Sequence, residues 1–290
     1  MSILGTLQLG SQQARRLGVK PRVQQSPYLE LCCLSQCAQG SYQKAEQAVE
    51  RLTGVRVSAK TQQRIVQRNP MSAPQPPASV SQLALDGGMV RLVTPKGQAS
   101  EWRQYKALRV NGDGPGMAWF QHDEHLLEWV KTFSLATVIF CLGDGHAGIW
   151  SLYEQMPLGR EHLEILDWFH LKQNLFRVGG SLKRLYQAEA LLWQGKVDQT
   201  LDLFQALRSE SARRFCDYLQ THRSRIPNYD YCQSEGIPIG SGPAESWIKQ
   251  IDQRLQLTGA QWLPRNVPQM LALRCRYLSD QLDLYSLSRR

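Results

Sequence analysis

Residues Leu135 to Leu142, LATVIFCL, form a nearly unbroken apolar run rich in β-branched side chains, closed by Gly143-Asp144-Gly145. A short run of this kind bounded by turn residues reads as a strand buried on both faces of a parallel or mixed sheet. In open α/β sheets ligands collect just beyond the carboxyl ends of such strands, so Asp144 is the first candidate for chemistry. Asp-Gly is also ordinary turn chemistry, and this segment by itself leaves both readings open.

The chain has 290 residues, enough for one large domain or two of ordinary size. Its 42% hydrophobic content and eight tryptophans can fill a core, which excludes a disordered polymer. The formal charge of +9 is unevenly placed: residues 1–80 hold ten Lys or Arg against three Glu and no Asp, and so carry +7 of it. A basic arm ahead of a nearly neutral body suits nucleic acid better than a membrane. The seven cysteines are an odd number spread along the chain with no signal peptide before them, which points to reduced thiols in a cytoplasmic protein. Cys32, Cys33 and Cys37 invite a zinc reading, but no partner pair follows at finger spacing, so packing within a helix is favoured. No apolar run approaches the roughly 18–20 residues needed to span a bilayer.

In chain order, residues 1–25 read as a basic arm. Residues 26–68 turn helical, with Gly54 as a C-cap and Ser58 opening a helix that carries Lys60, Arg64 and Arg68 along one side. A helix pair ending in a basic helix after a Gly turn suggests a helix-turn-helix; a solvated basic face on a helical bundle fits the same pattern. Residues 69–78, NPMSAPQPPA, have four prolines in ten and read as a linker and domain boundary.

Beyond it, Val80 to Asp86 alternates as a strand, and Gly87-Gly88 signals a hairpin. Met89 to Val93 is expected to pair back, with Glu101 to Val110 as a third antiparallel strand. A glycine-rich turn over 111–116 and a helix from His122 to Thr132 precede the run to Asp144. Nearly everything from Asp167 to about Arg225 is helical by period, which predicts a helical insertion over about 155–235 in a domain spanning 79–290. At GIPIGSGPAESWIKQIDQRLQ, Gly242 fits an N-cap, Pro243 the first helical position and Glu245 position N3. A capping carboxylate is the plain explanation of Glu245. The final helix is expected over Val267 to Leu284.

Asp86 and Asp144 at strand ends and Glu245 at a helix start form a possible set. Phosphodiester cleavage with two divalent ions needs oxygen ligands of this kind, because two hard cations must be held about 3.5–4 Å apart with open positions. The fold class is therefore read as α/β: a mixed sheet interrupted by a long helical insertion and preceded by a small helical domain.

The pieces LALDGG at Asp86, EWRQYK from Glu101, LGDGHAGIW at Asp144, LDWFHLKQNL with Asp167 and His170, and IPIGSGPAESWIKQIDQRLQLTGAQW at Glu245 carry a resemblance. They are similar to the ISKra-type insertion-sequence transposases, of the DDE class with a ribonuclease-H-like core, over about Ser26 to Arg276. The resemblance implies that Asp86, Asp144 and Glu245 are catalytic ligands of two Mg²⁺ or Mn²⁺ ions. It implies that Asp167 and His170 form an accessory Asp-x-x-His near the active site, and that Lys249 and Arg254 hold DNA phosphates. His146 stands where many relatives have a small residue. Relatives often extend further at the amino terminus, which implies a shorter DNA-binding part here. The expected partners are transposon ends and target DNA, with a homo-oligomer at synapsis, no membrane, and a nucleoid-associated place in a prokaryotic cytoplasm. A co-opted transposase that binds DNA without cutting it, and a ribonuclease-H-like nuclease that only hydrolyses, are the alternatives.

Overall fold

The computed structural model describes residues 8–16, 25–159 and 162–283. Of the expected basic arm it describes α1 (Ser11–Arg16) and a few flanking residues; the rest of the arm, and Leu284, lie outside the described residues.

Three helices follow, α2 (Pro27–Gln39), α3 (Tyr42–Thr53) and α4 (Ala59–Arg68). Ser26, Ser41 and Ser58 cap them, each accepting a backbone N–H through its side chain. Gly54 closes α3 at φ 69°, a left-handed conformation that glycine adopts without a steric penalty. Cys33 and Cys37 are fully buried among these helices, and the Cys37 thiol donates to Gln62 Oε1 at 3.1 Å. All seven cysteines are free, and burial pushes both the Cys33 and Cys37 thiols up to about 12, so these two behave as core side chains.

Residues 69–78 have no regular structure before the first strand. The stretch is nevertheless pinned: Trp129 Nε1 donates to Pro74 O at 2.8 Å, and Arg276 Nη1 donates to Ser72 Oγ at 3.1 Å.

The body is a mixed α/β structure around a five-stranded sheet of order β3-β2-β1-β4-β5. These are β1 (Val80–Leu92), β2 (Glu101–Val110), β3 (Gly116–Trp119), β4 (Leu135–Gly143) and β5 (His162–Leu166). β1 pairs antiparallel with β2 and parallel with β4; β2 and β3 are antiparallel, and β4 and β5 parallel. α5 (Asp123–Val130) leads into β4, and α6 (Ala147–Gln155) leads from β4 towards β5.

The hairpin expected at Gly87-Gly88 does not form. β1 runs straight through both glycines and pairs with β2 from Leu83 to Leu92. The reason for glycine here is space: a Cβ on Gly88 would lie 2.2 Å from Cζ of the buried Tyr105, and one on Gly87 would lie 2.4 Å from Gln104 Nε2. Asp86 is therefore mid-strand, opposite Ala107. The meander still has three antiparallel strands, because β3 begins at Gly116, where the glycine-rich turn ends.

The helical segment also begins later than expected. HLEIL pairs with β4 as the edge strand β5, so helices start only at α7 (Trp168–Arg177). They continue through α8 (Leu182–Trp193), α9 (Val197–Gln205), α10 (Glu210–Thr221) and α11 (Tyr229–Ser234). Finally α12 (Gly242–Leu255) packs against β1 and β2, and α13 (Val267–Leu278) packs against β3, α2 and α4. Among the described residues no helix is long and apolar enough to cross a membrane.

Replacing Gly88 by Ala is expected to cost about 1–3 kcal/mol in chemical denaturation, because the Tyr105 ring has nowhere to move. Gly87→Ala should cost less, since the flexible Gln104 amide can swing away. Equal costs would contradict the close-packing account.

Candidate functional site

The parallel register of β1 and β4 pairs Ala84 with Leu142, so two residues further along each chain Asp86 and Asp144 arrive side by side. Asp86 Oδ1 accepts its neighbour Gly87 N–H at 2.6 Å, and Asp144 Oδ1 accepts His146 N–H at 2.9 Å. His146 in turn caps α6, its Nδ1 accepting Gly148 N–H at 3.2 Å. A cavity of about 80 Å³ lies between the two acids, bordered also by Gln104, Lys106 and His146. Lys106 is held by Asp123 at 2.7 Å.

Glu245 comes from α12, where the expected cap is displaced by one residue. Ser241, not Gly242, is the N-cap residue, so Gly242 is the first helical residue and Glu245 falls one position later than N3. The Ser241 hydroxyl does not cap the helix because it is engaged elsewhere: its Oγ donates to Asp167 Oδ2 at 2.7 Å, and its N–H donates to the same oxygen. Glu245 is consequently free of capping duty. Its Oε2 lies 3.5 Å from Lys249 Nζ and its Oε1 lies 3.7 Å from His170 Nδ1.

Asp167 ends β5, caps α7 and is fully buried. Burial alone would raise its carboxyl, but hydrogen bonds from His170 and Ser241 outweigh it and hold Asp167 below the usual carboxylate range. His170 Nδ1 is 3.5 Å from Asp167 Oδ1, an ion-pair rather than a hydrogen-bond distance. Contact with Asp167 raises the His170 imidazole above its ordinary value; burial opposes this, and the charges of Asp144 and Glu245 add to it. The His170 ring is thus set between two carboxylates, those of Asp167 and Glu245.

Asp86 shows that the acids share one field. Burial pushes its carboxyl up to about 6; the Gly87 amide opposes this, and the negative charges of Asp144 and Glu245 add to it. Among the described residues, the set with ligand atoms all within 4.8 Å of one another is Asp167, His170 and Glu245. Asp86 and Asp144 are not in that set; Asp144 acts by charge on His170 and, with Glu245, on Asp86.

The basic residues divide. Lys249 is exposed beside Glu245, and Lys60 and Arg64 are exposed on α4. Arg68, also exposed, is partly engaged, with Nε 3.2 Å from Glu30 and Nη2 3.0 Å from Gln25 Oε1. Arg254 overturns expectation. It is buried, its Nε donates to Cys37 O at 2.6 Å, and its guanidinium packs over the rings of Tyr42 and Trp262. It ties α12 to α2 and cannot reach a phosphate, because it sits on the opposite stripe of the helix from the exposed Lys249.

The sequence pattern assigns no role to Ser241, Gln104 or Lys106. Ser241 carried a signal, since serine is preferred over glycine as an N-cap. Gln104 and Lys106 carried none, because only strand pairing brings them to Asp86.

Arg254→Ala is expected to destabilise the protein by about 2–4 kcal/mol, by leaving the Cys37 carbonyl unpaired and emptying space between two rings. A variant of native stability with weakened DNA binding would reverse this assignment. Asp86 gives a pH signature in chelator-treated protein. The native carboxyl holds its proton to about pH 6, whereas the unfolded chain releases it near 4. Native protein thus binds more protons across that window and loses stability as pH rises through it. Asp86→Asn should therefore raise the melting temperature above pH 6, by the equivalent of roughly 2 kcal/mol after solvent screening, and do little at pH 4. A pH-independent difference would contradict it.

Protein-family models give no match to this sequence, and a search of curated proteins likewise finds none, so the meaning of the site rests on its own geometry and chemistry.

Proposed function

We propose that the chain is a DDE-class transposase with a ribonuclease-H-like core, which cuts DNA strands and transfers them with two Mg²⁺ or Mn²⁺ ions. The observation that carries this reading is the convergence of Asp86, Asp144 and Glu245 from two neighbouring parallel strands and one helix, close enough for both other charges to act on Asp86. The strand order, with an antiparallel meander β3-β2-β1 continued by parallel β4 and β5, supports it. The motifs resembling ISKra-type transposases support it as well.

The donor set fits the ions. Three carboxylates offer hard oxygen ligands; burial chiefly raises Asp86, and the lesser part that comes from the charges of Asp144 and Glu245 is what divalent charge would relieve. Asp86, Asp144 and Glu245 would hold the ions, which supply Lewis-acid polarisation of a phosphodiester and activation of water or a DNA 3′-hydroxyl for in-line attack.

The surrounding residues place those ligands. Asp167 fixes Ser241 and hence the start of α12, while the His170 ring lies 3.7 Å from Glu245 and borders it on the side of Asp167. Lys249 stands exposed beside Glu245, available to a phosphate oxygen. The positive excess in residues 1–80 suits duplex backbone and makes affinity fall steeply with salt.

The test is cleavage and strand transfer on DNA carrying the flanking ends of the protein's own locus. Asp144→Asn should lower metal-dependent cleavage on the order of 10³-fold or more while leaving DNA binding nearly intact. Joining of a supplied 3′-hydroxyl end to target DNA separates a transposase from a nuclease that only hydrolyses. Wild-type protein that binds DNA but never cuts it, with either metal, would overturn the proposal.

A further inference from the structure

A charge taken out of water needs a partner of opposite sign, and Arg254 has none among the described residues. It is 2% exposed. Its Nε donates to Cys37 O at 2.6 Å, and its guanidinium carbon lies 5.4 Å from the Tyr42 ring centroid and 5.1 Å from that of Trp262. Nη2 is buried with no hydrogen-bond partner among the described residues. The groups whose charges act on Arg254 are Tyr42, Cys37 and Arg274, none of them a carboxylate. Burial presses the guanidinium below its ordinary value, so a bound anion would relieve it.

Arg254 stands in the wall of an open cavity of about 520 Å³, within the roughly 300–1,000 Å³ typical of small-ligand sites. Ser41 and Gln43, at the start of the 12-residue α3, line the same cavity. The Ser41 hydroxyl takes the Lys44 N–H at 3.2 Å, and no acidic residue stands in the first turn, so the positive end of α3 is not neutralised within the helix. A helix end and a buried, unpaired guanidinium are independent sources of positive potential, and they meet at one cavity.

We propose that this cavity binds a small carboxylate with an apolar body, its head group held by Arg254 and the amino end of α3.

Three features select that chemistry. Arg254 is the one charged residue among those lining the cavity, which matches a single negative charge; a carboxylate carries one, whereas a phosphate monoester carries about −1.5 to −2 at neutral pH. Val93, Leu257 and Trp262 line the rest of the wall and suit hydrocarbon better than a hydrated sugar-phosphate chain. Position separates the cavity from the acidic site: Glu245 is in the first turn of α12 and Arg254 in the last, roughly 13 Å apart along the axis at 1.5 Å per residue. The ligand is therefore distinct from any DNA at the carboxylates.

Arg254→Ala also breaks the tie to α2, so the informative variants lie at the rim. Gln43 is exposed, at the second position of α3. The test is isothermal titration of the full chain with 4-phenylbutyrate, 4-phenylbutyramide and inorganic phosphate, for wild type, Gln43→Glu and Gln43→Lys, with melting temperatures recorded alongside. The acid should bind wild type about tenfold or more tighter than the amide, the lower end for one charge-assisted hydrogen bond. Gln43→Glu should melt no lower than wild type, because an acid suits the first turn of a helix, yet weaken the acid about threefold or more and leave the amide unchanged. Gln43→Lys should tighten the acid. Acid and amide binding alike, phosphate binding more tightly than the acid, no binding of any probe, or affinity indifferent to both charge changes each overturns the proposal. None of these results depends on DNA cleavage, so the transposase reading stands or falls separately.

Discussion

A single buried carboxylate joins the parts of this molecule. Asp167 has no exposed surface, yet it is held ionised by the His170 backbone and by two donors from Ser241. A buried charge is costly unless its hydrogen-bonding capacity is met, and here donors from two distant parts of the chain meet it together. The same atoms end β5, cap α7 and fix where α12 begins. The placement of Glu245, one turn into α12, follows from that tie.

The acidic site stands under electrostatic tension. Asp86 lies partly buried in the middle of a strand, with Asp144 on the next strand and Glu245 overhead, and its carboxyl is raised as a consequence. His170 stands on the side of Asp167 and Glu245, whose charges favour its protonated form.

Buried arginines connect the amino-terminal helices to the body. Arg254 on α12 donates to Cys37 O, and Arg274 on α13 donates to both Ala38 O and Gln250 O. Each guanidinium satisfies carbonyls near the end of α2 that the helix itself leaves unpaired. Arg254 and Lys249 are both basic residues of one helix near an acid, so in sequence they read alike. Five positions along a helix rotate the side chain to another face, and that face meets α2 instead of solvent.

Local chemistry was legible without coordinates. The strand to Asp144, the Ser58 cap of α4, the Gly54 close of α3, the proline stretch and the basic bias of the first 80 residues each follow from short-range pattern, because backbone preference and apolar period act over a few residues. What the tertiary structure decided is everything that depends on a distant partner. Gly87-Gly88 reads as a turn until Tyr105 is found across the sheet, needing the space that a side chain would fill. Gly242 fits a cap until Ser241 is found bound to Asp167, 74 positions earlier, and HLEIL becomes a strand only because β4 offers it an edge. Sequence spacing fixes which atoms are available along one element; only the packing of elements fixes which of them meet.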